Sequence, residues 1–206
     1  LISVKGYAAE EVQDNYLRAQ SIAHAAGTTD ANFAVSRGLW NCYFDRGDLP
    51  HSWDLSAELL GLAKASGHDL LLAFAHRAAG SVHLMMGDGA SADAMFEQGL
   101  SARSRWQGDV DLLAFGEDPG LTCGQYLGWT KTARGHIEAG LHHVDAVAVA
   151  ARESGHPISI AFAETFRVVA LGWAGEFERA QPFAEEVERF CVEHRLVFWA
   201  ASARMY

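Results

Sequence analysis

Apolar residues return at steps of three and four along most of the chain. From Glu10 to Ala26 they place Val12, Tyr16, Ala19, Ile22, Ala23 and Ala26 on one helical face. Trp53 to Ala65 repeats the pattern with Leu55, Leu59, Leu62 and Ala63. Phe177 to Val192 repeats it with Phe177, Ala180, Phe183, Ala184, Val187, Phe190 and Cys191. Between these lie segments that are apolar nearly all round: Leu70–Met86, Leu121–Ala133 and Ile158–Trp173. That uniformity predicts helices buried on several sides. No sustained period of two and no hairpin turn signal marks a strand.

The helices are punctuated by glycine. Gly47, Gly87, Gly135 and Gly175 are separated by 40, 48 and 40 residues, and Gly27, Gly67 and Gly155 by 40 and 88. Glycine suits the left-handed residue that ends a helix. Five residues after each member of the first series stands a small side chain, Ser52, Ala92, Gly140 or Ala180, which predicts close helix approach. Asp30, Asp69, Asp88 and Ser159 sit where they can cap helix starts. Two interleaved series with one offset predict a two-helix repeat of about 40 residues, against about 34 for tetratricopeptide repeats. The fold class expected is therefore all-α, a right-handed α-α superhelix (a tetratricopeptide-like solenoid) of antiparallel helix pairs. One domain over 1–206 is expected, with pairs at about 8–47, 49–87, 89–135, 137–175 and a truncated fifth at 177–206. Both ends read as cut from a longer protein. The eight-residue surplus falls at 104–120, an insertion rich in large apolar groups. Trp106, Leu112, Leu113 and Phe115 are expected to fold it onto the solenoid or to line a groove.

At this insertion the sequence resembles a known family. Phe115-Gly116-Glu117-Asp118-Pro119-Gly120, followed by Cys123, Tyr126 and Leu127, carries the likeness. So do Gly155-His156-Pro157 with Ser159, Ala161, Phe162 and Ala163, and Phe198-Trp199-Ala200. Leu71-Leu72, Ala75-His76-Arg77-Ala78 with Gly80, and Ala94-Met95-Phe96-Glu97-Gln98-Gly99-Leu100 extend it. The chain is similar to the tetratricopeptide-like C-terminal repeat region of bacterial signalling proteins that join a class III adenylate/guanylate cyclase domain to an AAA-type ATPase. The resemblance implies a regulatory scaffold, with any cyclase or ATPase activity in other parts of such a parent. Thr130-Lys131-Thr132-Ala133-Arg134-Gly135 is more polar than the family's leucine-rich version, which predicts looser packing of the third pair.

Charge changes the list of partners. Sixteen basic residues stand against 26 acidic ones, a formal net charge of −10. Nucleic acid and anionic membrane surfaces both demand basic side chains, so neither is expected as a partner. The composition is intracellular-like and a cytoplasmic location is expected. Cys42, Cys123 and Cys191 are widely spaced, and read as buried reduced thiols rather than disulfide or zinc ligands. The ten histidines lack metal-ligand spacing. His76 and His83 lie two turns apart, His142 and His143 point to different faces, and His68, His136 and His156 are expected to contact the carbonyls of the preceding helix. No catalytic residue, metal or cofactor is expected.

The expected function is a non-catalytic protein-interaction module whose partner is a protein, a peptide or another domain of the parent. Self-association as a homodimer is compatible with it, while Phe198, Trp199 and Met205 at a cut end are expected to drive self-association as an artefact of truncation. Candidate partner-binding residues are Arg37, Trp40 and Arg77 on second helices and Trp106, Phe115, Glu117 and Asp118 at the insertion. Arg37 and Arg77 are read first as structural ion pairs, and Asp118-Pro119 first as an N-cap with a first-turn proline. The alternative is a small-ligand sensor with a pocket under 104–120.

Overall fold

A computed structural model describes residues 8–204, with the side chains of Ala26, Leu113 and Ala114 outside the description. The expectations placed on Ala26, Leu113 and Met205 thus fall outside the described residues. Among the described residues there is no strand. The chain separates into two compact units, Leu1–Gln107 and Gly108–Tyr206. The first contains α1 (Glu10–Ala26), α2 (Thr29–Asp45), α3 (Leu49–Ser66), α4 (Asp69–Met85) and α5 (Gly89–Arg105). The second contains α6 (Leu112–Phe115), α7 (Pro119–Ala133), α8 (Ile137–Ser154), α9 (Pro157–Trp173), α10 (Phe177–Glu193) and α11 (Val197–Ala203). The expected pair at 89–135 is thereby divided, α5 falling in one unit and α7 in the other.

Within each unit every long helix packs on the one before it. Alternate helices also touch, α2 with α4 in the first unit, and α7 with α9 and α9 with α11 in the second. The glycine punctuation is the cause of the short connections. Gly27, Gly47, Gly67, Gly87, Gly135, Gly155 and Gly175 all take φ between +65° and +86°. There an L side chain would be strained, so each glycine turns the chain within two or three residues. Forty residues after Gly155 the same left-handed place is taken by Arg195, φ 58°.

Helix starts are set by side chains. Asp48, Asp88 and Asp118 accept hydrogen bonds from the backbone N–H of His51, Ser91 and Gly120. Hydrogen bonds from His51 and from Ser91 hold the Asp48 and Asp88 carboxyls below the usual carboxylate range. Asp30 and Asp69 lie instead inside their first turns, where they favour the positive end of the helix dipole. His68, His136 and His156, after the turn glycines, occupy N-cap positions, and the His136 backbone N–H donates back to the Lys131 carbonyl of the preceding helix at 2.8 Å. The His156 Nδ1 accepts from the Ser159 N–H at 3.3 Å.

The polar end of α7, the second helix of the third expected pair, packs closely on α8. Gly128 of α7 and Gly140 of α8 meet so closely that a Cβ on Gly128 would lie 2.6 Å from Val144. One on Gly140 would lie 2.7 Å from the Gly128 carbonyl oxygen. The hydroxyl groups of Thr130 and Thr132 are buried, and they donate to backbone carbonyls one turn earlier, so polarity there costs nothing in pairing. Cys42, Cys123 and Cys191 are fully buried and form no disulfide, and burial pushes the Cys42 and Cys191 thiols up.

Two residues expected on inner faces are exposed. Ile22 is 71% exposed on α1 and Phe177 is 68% exposed on α10.

Candidate functional site

The arginines expected to bind or to form ion pairs stack on aromatic rings. The Arg37 guanidinium lies 4.4 Å from the Phe74 ring centre, and that of Arg77 lies 4.9 Å from Trp40. The contacts are reciprocal between α2 and α4, because Arg37 and Arg77 are 40 residues apart and occupy the same repeat position. Trp40 itself is 1% exposed and stacks on Phe44 at 4.6 Å, so it holds the core and has no surface to offer. Trp106 ends α5, half-buried and stacked on His68 at 4.6 Å. Phe115 ends the one-turn helix α6, also half-buried. Asp118 caps α7 with Pro119 in its first turn, and Glu117 accepts from the Thr122 hydroxyl at 2.9 Å. Four of the seven candidates, Arg37, Trp40, Arg77 and Trp106, belong to the first unit, and Phe115, Glu117 and Asp118 to the second.

A different set of residues is brought together. Helix α7 contributes Tyr126 and Trp129, α9 contributes Phe162 and Phe166, and α11 contributes Trp199, all of them half-buried. Their rings form a continuous network. Trp129 lies 4.1 Å from Phe166, and Phe166 lies 4.6 Å from Phe162. Tyr126 lies 6.1 Å from Phe166, and Trp199 lies 5.8 Å from Phe162. Tilted and edge-on pairs of this kind contribute about 0.5–1.5 kcal/mol each beyond their burial. At its margins, Trp173 (53% exposed) lies 5.2 Å from Trp129 and Phe198 (70% exposed) lies 5.0 Å from Trp199. The Trp129 Nε1–H donates a 3.0 Å hydrogen bond to the Phe166 carbonyl, fixing its indole across two helices.

The uniform apolarity of α7 and α9 predicted burial on several sides, whereas here one side of that apolar surface is open. The signal was nevertheless in the period: Tyr126 and Phe166 stand 40 residues apart and share a repeat position.

Ion pairs frame the neighbouring helices. The buried Glu164 carboxylate receives Arg152 at 2.6 Å and Arg167 at 3.4 Å. Arg167 also reaches Asp145 at 2.7 Å, and Arg152 reaches Glu186 at 3.0 Å. A buried carboxylate is tolerated only when paired in this way. The burial of His76 on α4 holds its imidazole below its ordinary pKa, and the charges of Lys64 and Arg105 push the same way. Among the described residues no group of three or more His, Cys, Asp or Glu is placed to hold a metal, and no helix is long and apolar enough to cross a membrane. Among the described residues of the second unit, two clefts are lined by residues within 152–204.

No family model matches the chain, and no curated protein matches it. Solved structures do. The chain is similar to BtubC (BKLC) from P. vanneervenii, with a TM-score of 0.66 and 14% identity over 94% of this chain and 80% of that one. It is similar also to a putative kinesin light chain from Podosopora anserina with nearly identical TPR-like repeats. There the TM-score is 0.57, with 15% identity over 89% of this chain and 88% of that one. At such identities the likeness carries the fold alone, and the chain has the all-α, tetratricopeptide-like fold of antiparallel helix pairs.

Proposed function

We propose that the chain is a non-catalytic scaffold that docks a segment of a partner protein on the aromatic face of α7, α9 and α11. The observation that carries this reading is the half-buried network Tyr126–Trp129–Phe166–Phe162–Trp199. Aromatic residues held rigidly at a surface give large contact area at little cost in side-chain entropy, which is why they dominate the energetics of interfaces. The partner segment is basic. Residues 108–206 carry 14 acidic against eight basic side chains, and such an excess steers cations to the surface. Service to a cyclase–ATPase signalling parent is the finer form of the proposal, and it rests on the sequence resemblance.

The test is selection of peptides from a displayed library on the immobilised chain. The proposal expects enriched peptides to be rich in Lys and Arg and to weaken as salt is raised. It also expects them to lose at least tenfold in affinity for a Phe162→Ser/Trp199→Ser chain. Enriched peptides that bind this variant and the parent chain alike overturn it.

A further inference from the structure

A cleft of about 330 Å³ opens over α9, between α8 and α10. All three helices are described from end to end, and α11 contributes nothing to its lining. Ile160 and Phe190, half-buried, and Val187, buried, line it with apolar groups, and Arg152, Glu164 and Glu186 supply one joined polar group. Ile160 and Glu164 stand one turn apart on α9, on the side away from Phe162 and Phe166. The cleft is thus separate from the aromatic face.

The repeat does not require a carboxylate at Glu164. The same repeat position, at intervals of 40, 48 and 40 residues, is taken by Ser36 of α2, His76 of α4 and Gly124 of α7. Glu58, the counterpart of Glu186, is met there by a hydroxyl: the Ser36 Oγ donates to it at 2.6 Å. Taking a carboxylate out of water is costly, and even a well-paired one adds little to stability. Packing therefore does not account for Glu164.

Charge identifies what fits. Asp145, Glu164 and Glu186 are joined through two guanidiniums, those of Arg152 and Arg167. Three carboxylates against two cations leave that network one positive charge short. The shortfall lies at the cleft, where Glu186, its side chain 53% exposed, receives Arg152 on one oxygen at 3.0 Å. Its other oxygen accepts no hydrogen bond among the described residues.

We propose that the cleft binds a small organic cation, a primary amine with an aryl or alkyl body. The ammonium group pairs with Glu186 beside Arg152, and the body lies on Ile160, Val187 and Phe190. An apolar cleft of this size with a few converging polar groups is the usual form of a small-ligand site. The carboxylate excess repels an anion, and a neutral ligand leaves it uncompensated. This site and the aromatic face can fail independently.

The experiment titrates the full, nitrogen-labelled chain at neutral pH with 2-phenylethylamine, and with 2-phenylethanol and phenylacetate, which share its body. Backbone amide signals are followed by NMR. The expected result is saturable movement of the Ile160, Val187 and Phe190 signals with the amine, at roughly a tenth of the concentration that the alcohol or the carboxylate requires. Glu186→Gln, at an exposed position, is expected to weaken the amine roughly tenfold and to leave the alcohol unchanged. Absence of saturable binding, movement confined to signals elsewhere, or equal affinity for amine and alcohol overturns the proposal. So does equal affinity of the amine for both chains. Tighter binding of Nα-acetyl-lysine methylamide than of the amine also overturns it, because the occupant is then a protein side chain.

Discussion

The indole N–H of Trp129 donates to the main-chain carbonyl of Phe166 on the neighbouring helix, at 3.0 Å, while the two rings lie 4.1 Å apart. One residue thus supplies both the packing and the polar anchor that keep the aromatic face rigid. Trp129→Phe retains a ring and removes the donor. We expect a loss of about 1 kcal/mol in urea unfolding, and a weaker grip on any ligand of the face that exceeds the loss in stability. A variant as stable as the parent shows that the hydrogen bond contributes nothing.

Close approach and open space at glycines give opposite signs for one substitution. Gly140→Ala forces a Cβ to within 2.7 Å of the Gly128 carbonyl, and rigid main chain cannot yield, so a loss of about 1–3 kcal/mol is expected. Gly61 lies within α3 with nothing inside 4 Å of an added Cβ. Gly61→Ala is expected to stabilise by about 0.4–1 kcal/mol, because alanine restricts the unfolded chain and favours helix. Chemical denaturation of the two variants checks both signs.

Arg195 is the non-glycine exception among the described left-handed residues. An L side chain there costs roughly 1–2 kcal/mol. Arg195→Gly is expected to raise the melting temperature, less the entropy that glycine adds to the unfolded chain. A lowered melting temperature shows that the side chain makes a compensating contact.

Acid is expected to weaken the first unit through His76. Its imidazole is buried, chiefly disfavoured as a cation by desolvation, with Lys64 and Arg105 adding repulsion, so its folded pKa lies below the unfolded value of about 6.5. Above that value both states are neutral and stability is complete. As pH falls below it the unfolded chain takes up the proton first, and stability declines until the folded pKa is reached. His76→Leu is expected to flatten this part of the curve of unfolding free energy against pH. An unchanged slope assigns the acid sensitivity to other groups.

The fold was legible because its turns are a local requirement. A left-handed helix terminus demands glycine, and a repeat places that demand at a fixed period, so Gly27 through Gly175 mark the helices directly. The face was harder to see. Whether a large apolar residue such as Phe162 is core or surface depends on which helix covers it, and that is settled by contacts 30 to 40 residues away, here with Tyr126 and Trp199. Trp40 and Phe177 show both directions of the difficulty, a tryptophan proposed for binding that is buried and a phenylalanine assigned to the core that is exposed. Single tryptophans and acidic pairs in the insertion drew attention by chemistry alone. The structure gives Trp106 a stacking partner and Asp118 a helix to cap.

The six tryptophans provide the most direct test of the docking face. With indole nitrogens labelled, the full chain is titrated with a lysine-rich peptide selected on it, and each Nε1–H signal is followed by NMR. We expect Trp129 and Trp199 to shift in step with peptide occupancy while Trp40, Trp53 and Trp106 stay in place. Shifts at Trp53 or Trp106 with Trp129 and Trp199 unmoved would contradict the assignment of partner binding to the α7–α9–α11 face.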